Sequence, residues 1–306
     1  LRLKQLVEMR WQAYRAQPVA LGRFDAELFP DFVWSRLFSK SLISIQDKET
    51  VTSARYRIAS PSRDMFHHVG LRGLTRYNSP RHLVLQTNAY DYVLAQTPFP
   101  ALVAPGTRLI VRYHDAVPIF MPHTIGAKSI HQAIHYQALK LDAETGALFA
   151  CCSAATQTDL LRMFPELESR AHVIHNIVSD TYRLTNAPKL QAEAIIQQRL
   201  SDDMRDAAGV APKPPATYLL MVSTLEPRKN HNLVVSAWEQ LRLAGFSNLG
   251  LVLVGARGWD EDSITARIRP WMRRGLIFHL TSVPARELNI LYEHASVTLC
   301  PSLAEG

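Results

Sequence analysis

Tyr218-Leu219-Leu220-Met221-Val222-Ser223 is an apolar run with no polar alternation, and three more such runs follow it. They are LGLVLVG (249–255), LIFHLT (276–281) and VTLCP (297–301). Continuously apolar strands suit a parallel sheet covered on both faces. Helical patterns fill the gaps. Residues 229–244 place Leu233, Val234, Ala237, Trp238 and Leu241 at helical spacing, and a second helix is expected over about 262–273. Pro284 suits the first turn of a third, running to about His294. Strand and helix thus alternate through the last ninety or so residues, the pattern of a parallel α/β sheet.

Working back from Tyr218, Val210-Ala211-Pro212-Lys213-Pro214-Pro215 interrupts everything, and its prolines read as a linker and hinge. This predicts domains at 1–211 and 217–306, joined by 212–216. The first part alternates less cleanly. Residues 2–20 read as an amphipathic helix with Leu3, Leu6, Val7, Trp11 and Tyr14 on one face. HLVLQ (82–86), RLIVRY (108–113), LFACC (148–152) and HVIH (172–175) read as strands. Helices are expected over about 125–146, 154–164 and 189–208, the second capped by Ser153. The fold class is α/β, with two parallel-sheet domains.

Composition narrows the function. The chain has 306 residues, 47% hydrophobic and 20% charged, which excludes a disordered tail, a collagen-like repeat and a coiled coil. No apolar run is long enough to span a membrane, and the opening LRLKQLVEMRWQAYRAQ has no signal-peptide apolar segment. Three cysteines, two of them adjacent at Cys151 and Cys152, make no disulfide framework, so a cytoplasmic setting is expected. The net charge is +7, and one stretch is lopsided: Arg55, Arg57, Arg63, Arg72, Arg76 and Arg81 face one acid, Asp64. That stretch reads either as a surface for phosphates or an anionic leaflet, or as a solvated basic face. The abrupt start, and the end at Ala304-Glu305-Gly306 straight after a strand, read as a fragment of a longer protein.

The segment that carries chemistry is Ser223-Thr224-Leu225-Glu226-Pro227-Arg228-Lys229-Asn230-His231, between the first strand of the second half and its helix. Ligands of parallel sheets bind outside the carboxyl ends of the strands, where helix N-termini offer free N–H groups. Two cations at such a position oppose the helix dipole, and a diphosphate would compensate. The other reading is an exposed basic pair. Neither G-x-x-x-x-G-K-[ST] nor G-x-G-x-x-G after a strand occurs, which argues against a P-loop hydrolase and a dinucleotide dehydrogenase. Gly70–Gly73 and Gly255–Gly258 fit the short G-x-x-G of RNA-binding loops, a match too cheap to support nucleic acid as a partner.

STLEPRKNH (223–231), LVLVGARGW (251–259) and VPARELNILYEHASVTLCPSLAEG (283–306) resemble the C-terminal half of family 4 glycosyltransferases, group 1. VRYHDAVP (111–118), CSAATQTDLLR (152–162) and HVIHNIV (172–178) agree more loosely, and nothing before residue 108 carries the resemblance. The family consists of retaining enzymes of the GT-B fold, two Rossmann-like domains facing across a cleft. The resemblance implies a nucleotide-diphosphate sugar as donor substrate and no cofactor or metal. The acceptor would be a saccharide or a lipid-linked saccharide, as in cell-surface polysaccharide assembly. It places Lys229 and Arg228 on the donor diphosphate and Glu305 at the sugar hydroxyls. Thr224 stands where many members have an arginine, a role that Arg228 fills in members with T-L-E-P-R-K-N. Ser282 and Val283, with Leu288 and Tyr292 behind them, would border the nucleobase, and His114 would lie near the transferred sugar. Ile177 departs from a common glycine, and the family's second glutamate is absent from this chain. A peripheral contact with an anionic membrane is the role expected of the arginine run. Alternatives are a non-catalytic nucleotide-sugar-binding fragment and a sugar epimerase of the same fold.

Other signals were weighed. Asp260-Glu261-Asp262 has the D-x-D spacing of a metal site, but it opens a helix, where acids suit the dipole. His131 and His135 share a helix face without a third ligand or the Glu of H-E-x-x-H. His114 is either a contact to a donor hydroxyl or a structural histidine. Asn176 reads as a turn residue, and Cys151, Cys152 and Trp238 as core.

Overall fold

The computed structural model describes residues 2–15, 17–39, 44–59, 65–69, 81–126, 128–208 and 212–306. Two compact units emerge, one built largely from the chain up to Asn176 and the other from Ile177 to Glu305.

The first unit holds β1 (Pro18–Val19), β2 (Leu21–Phe24), β3 (Tyr56–Ala59), β4 (Leu83–Leu85), β5 (Tyr92–Ala95), β6 (Ala101–Leu102), β7 (Arg108–Tyr113), β8 (Leu148–Cys151) and β9 (Ala171–Val173). A parallel sheet runs β5-β7-β8-β9, a second β1-β4-β6, and β2 and β3 pair antiparallel. The strands expected near 82–86, 108–113, 148–152 and 172–175 are present. Helices cover Lys128–Glu144 and Ala154–Met163, and the Thr156 N–H donates to Ser153 Oγ at 3.1 Å, the expected cap. Val111, Tyr113, Leu139, Phe149 and Cys151 are buried among them.

The first helix differs from expectation. It spans Arg2–Arg15 and ends before Pro18, which cannot continue it. Met9 is buried and Leu6 half-buried, whereas Val7, Trp11 and Tyr14 are exposed; the side chain of Leu3 lies outside those described. The Arg15 guanidinium lies 4.3 Å from the Trp11 ring centroid, so that ring is covered by a cation rather than by core. Of the arginine run, Arg63, Arg72 and Arg76, with Asp64, lie outside the described residues, and so does Gly70–Gly73.

The second unit holds β10 (Thr217–Val222), β11 (Leu249–Val254), β12 (Ile277–Leu280) and β13 (Val297–Leu299), all parallel in the order β12-β11-β10-β13. Helices at His231–Leu243, Asp262–Arg273 and Ala285–His294 connect them. Tyr218, Leu220, Trp238, Val252, Phe278 and Leu291 are fully or almost fully buried. The expected apolar face of the first of these helices shifts. His231, Val234, Val235 and Trp238 point inward, and Leu233 and Leu241 are exposed.

The division at 211 is corrected. Ala192, Ile195, Ile196, Leu200 and Met204 belong to the core of the second unit, so the chain passes from one unit to the other near Asn176. The prolines lie within the second unit, with Pro215 against Gly250 of β11, and so do not form the expected hinge. The single helix expected over 189–208 is two, Lys189–Gln198 and Asp202–Ala208. It breaks because Leu200 bridges to Leu280 and the Ser201 N–H donates to the His279 carbonyl at 2.8 Å. Among the described residues, no helix is long and apolar enough to cross a membrane.

Candidate functional site

The strand order locates the site. The chain steps outward from β10 to β11 to β12, then returns to lay β13 on the far side of β10. Loops after β10 and β13 therefore leave the sheet at a reversal of strand order, where open α/β sheets bind ligands.

The loop after β10 is fixed from behind. Ser223 N–H donates to Val254 O at 2.9 Å, Leu225 N–H to Ala256 O at 2.9 Å and Gly258 N–H to Leu225 O at 3.0 Å. A Cβ on Gly255 would fall 2.0 Å from the Ser223 carbonyl oxygen, so only glycine permits this approach. The Gly255–Gly258 spacing is thus spent on stacking two loops, which accounts for it without nucleic acid. Ser223 Oγ and His231 Nε2 share a hydrogen bond of 3.2 Å. Burial holds the His231 ring down at about 4, so it is neutral near pH 7.

Arg228 and Lys229 do not open the helix, as the sequence suggested. They stand in a tight turn, Pro227–Lys229, ahead of it. Pro227 pre-sets that turn, and Asn230, at φ 60° and ψ 41°, separates it from the helix beginning at His231.

The turn meets the loop after β13. The Leu303 N–H donates to Arg228 O at 2.9 Å and Asn230 Nδ2 to Pro301 O at 3.3 Å. Arg228 Nη1 donates to Ala304 O at 2.8 Å and to Glu305 Oε2 at 2.9 Å, while its Nη2 donates to Glu226 Oε1 at 2.9 Å. Lys229 Nζ donates to Glu305 Oε1. Two carboxylates therefore hold two cations. Glu226 is only 3% exposed, which a carboxylate tolerates because Arg228 pairs with it. For Glu305, burial favours the neutral acid, but hydrogen bonds from Lys229, Ser302 and Arg228 outweigh it and hold the carboxyl down at about 2. The outer face of this cluster is a carboxylate ionised at any ordinary pH, gripped by an ammonium and a guanidinium. Those two cations are oriented for anionic oxygens.

The other expected residues are distributed as follows. Thr224 is exposed on the same loop, its methyl over Gly258. Val283, Leu288 and Tyr292 are half-buried on the loop and helix after β12, packed against the core, with the Tyr292 ring edge-on to Tyr182 at 6.1 Å. Ser282, beside Val283, is left-handed at φ 54°. His114 belongs to the first unit, just after β7. It is exposed, and its Nε2–H donates to Gln96 O at 3.0 Å. Glu226 and His231 belong to the same motif, and the sequence alone assigns them no role. Their signal was a carboxylate and an imidazole flanking two cations on a turn.

The signals set aside have local explanations. Asp262 lies in the first turn of its helix, and Glu261 bonds Thr265 and pairs with Arg257 at 3.4 Å. His135 is half-buried beside Tyr113, 5.8 Å between ring centroids, and desolvation of its ring holds it down at about 4. Asn176 Oδ1 accepts from Arg112 Nη2 at 2.6 Å at the end of β9. Cys151 and Trp238 are core, while Cys152 is half-buried with its thiol donating to His114 O.

Comparison with known proteins bears on the same segment. Residues 204–306 match the family described as glycosyl transferases group 1. The chain is 35% identical over 89 residues to the O-antigen chain mannosyltransferase B of Escherichia coli, covering 29% of this chain and 23% of that protein. It is 34% identical over 93 residues to the serotype-specific mannosyltransferase WbdA of Escherichia coli, covering 30% and 11%. The match thus spans less than a quarter of either relative. The crystal structure of Anabaena Alr3699/HepE in complex with UDP and glucose is similar at a TM-score of 0.48 and 16% identity, covering 87% of this chain and 60% of that one. The segment that matches the group 1 glycosyl transferases, residues 204–306, is the one that supplies Arg228, Lys229 and Glu305.

Proposed function

We propose that the chain handles a nucleotide-diphosphate sugar in a retaining hexosyl transfer of the mannose or glucose type. The acceptor is a saccharide or lipid-linked saccharide. The observation that carries this reading is the meeting of Arg228, Lys229 and Glu305 where the strand order reverses. The names of the Escherichia coli relatives support mannose and a cell-surface polysaccharide.

The chemistry follows from charge. Breaking the bond between sugar and diphosphate leaves negative charge on the diphosphate. Cations already oriented by Glu226 and Glu305 stabilise that charge more in the transition state than in the ground state. Lys229 and Arg228 take the phosphate oxygens, and Glu305 then turns to the sugar hydroxyls. Thr224, Val283, Leu288 and Tyr292 line the rest of the donor, and His114 serves the transferred sugar from the first unit. Cytoplasmic placement, with an anionic membrane met by the arginine run, belongs to the same proposal.

Calorimetric titration of the chain with UDP and GDP tests it. A charge-assisted hydrogen bond is worth ~1.5–3 kcal/mol, so Lys229→Ala is expected to weaken diphosphate binding by roughly 10- to 100-fold. Unchanged affinity in a variant that melts like the parent removes Lys229 from the site.

A further inference from the structure

The first unit contains a cavity of about 560 Å³, the size of a small-molecule site. Leu21, Ala59, Leu85 and Phe99 supply apolar wall, Arg55 and Arg57 supply charge, and among the described residues no lining residue is acidic. The antiparallel pairing of β2 and β3 explains this mixture. Leu21 faces Ala59 and Arg23 faces Arg57 across the pair, so these four side chains share one face of the ribbon. Two arginines directly opposite each other are unfavourable unless something neutralises them. Asp25 reaches Arg23 at 3.6 Å. Arg57 donates to the Tyr56 carbonyl at 3.0 Å, and among the described residues neither Arg55 nor Arg57 has a carboxylate partner. The cavity thus has an apolar interior and a cationic mouth that no carboxylate of the described residues neutralises. Gln96 also lines it, and the Gln96 carbonyl is the acceptor for the His114 imidazole.

We propose that this cavity binds an amphiphile bearing a phosphate monoester. Its hydrocarbon part lies on Leu21, Ala59, Leu85 and Phe99, and its phosphate lies on Arg55 and Arg57. The apolar wall alone would take any greasy molecule. Arg55 and Arg57, two residues apart on one face of the ribbon, select the anionic head, because a guanidinium fork matches phosphate oxygens. The occupant would lie one hydrogen bond from His114. This inference stands apart from the transferase reading, since its readout is binding to the first unit's residues and needs neither donor nor turnover.

The test titrates the whole chain with octyl phosphate, 1-octanol and inorganic phosphate, each below any micellar concentration, and measures sedimentation with phosphatidic-acid vesicles in parallel. Octyl phosphate is expected to saturate at one per chain. The alcohol and inorganic phosphate are expected to bind roughly 10-fold more weakly or worse, since each lacks half of the recognition. R55Q/R57Q should weaken octyl phosphate by about 10-fold or more while leaving 1-octanol unchanged. Ala59→Phe, which fills the apolar end, should weaken both. The exposed arginine variant keeps the test decisive if Ala59→Phe does not fold. Octyl phosphate binding no tighter than 1-octanol overturns the proposal, as does full affinity in R55Q/R57Q. Inorganic phosphate binding as tightly overturns it too, as an anion surface without a cavity. Vesicle binding without any octyl phosphate binding assigns the arginines to a bilayer surface and also overturns it.

Discussion

Both units contain a four-stranded parallel sheet, yet the cations at their strand ends meet different partners. In the first unit the order β5-β7-β8-β9 follows the chain in one direction. There Arg112 of β7 reaches past β8 to neutral oxygens at the end of β9, donating to Ile174 O at 2.5 Å and to Asn176 Oδ1 at 2.6 Å. In the second unit the return of β13 to the side of β10 brings Glu305 onto Arg228 and Lys229, more than seventy residues earlier in the chain. Similar strands give a tie to neutral oxygens in one sheet and a cluster of paired charges in the other. The return of β13 supplies the carboxylate that makes the difference.

The most severe way to break that contrast is at the loop stack behind the second site. In Gly255→Ala the new methyl would press on the Ser223 carbonyl, a backbone group that cannot swing aside. The cost is about 3 kcal/mol or more, the upper end for overpacking. Hydrogen exchange should show β10 and β11 losing protection while β7 and β8 keep theirs, and UDP affinity should vanish with the loop. Equal loss in both sheets would show that the loop stack is no local feature of the second unit. Lys229→Ala comes next in size, since it leaves the stack intact and removes one cation.

This contrast was only partly legible in the sequence. β10 to β12 were visible because Tyr218 to Val222, Leu249 to Val254 and Ile277 to Leu280 are apolar throughout, as two-sided burial demands. β2, β3 and β5 were not, because each is short and leaves residues such as Arg23, Ile58 and Leu94 exposed, which erases the pattern. The boundary misled because prolines mark where a helix cannot continue, not which core its neighbours join. Ile195, Ile196 and Met204 look alike in sequence whichever sheet they cover. Arg228, Lys229 and Glu305 were readable as a motif, whereas the buried Glu226 was not, since its burial depends on a partner that only the fold supplies.

Acid and base should separate two buried groups, one in each unit, because Asp142 and His231 pull in opposite directions. In the first unit, burial pushes Asp142 up to about 8 although its Oδ2 accepts the Phe99 N–H at 2.9 Å. The folded state holds a proton that the unfolded chain releases near pH 3.9, so this contribution is complete below that value and disappears as pH rises through 8. His231 does the reverse. Its folded value of about 4 lies below the ordinary 6.5, so its contribution is complete above 6.5 and disappears as pH falls toward 4. Each effect should reach on the order of 2 kcal/mol at its own end of the range. Asp142→Asn should therefore flatten the alkaline decline of β7 and β8 protection, and His231→Gln the acid decline of β10 and β11. A pH profile unchanged in either variant would contradict that residue's assignment.

The smallest effect sharpens the comparison from the other side, at a glycine of the first unit. Gly146 ends the helix Lys128–Glu144 at φ 85°, with its N–H donating to Ala143 O and the Ala147 N–H to Asp142 O, the paired bonds of a left-handed helix terminus. Nothing lies within 4 Å of where a Cβ would stand, so Gly146→Ala meets no clash and incurs only the left-handed conformation, about 1 kcal/mol. The melting temperature should drop by a few degrees, with loosening confined to the helix end and β8. UDP affinity should be unchanged. A Gly146→Ala effect as large as that of Gly255→Ala would mean that the turn before β8 is as tightly packed as the loop stack behind Arg228. The distinction between a glycine kept for its backbone angle and one kept for another chain's approach would then fail here.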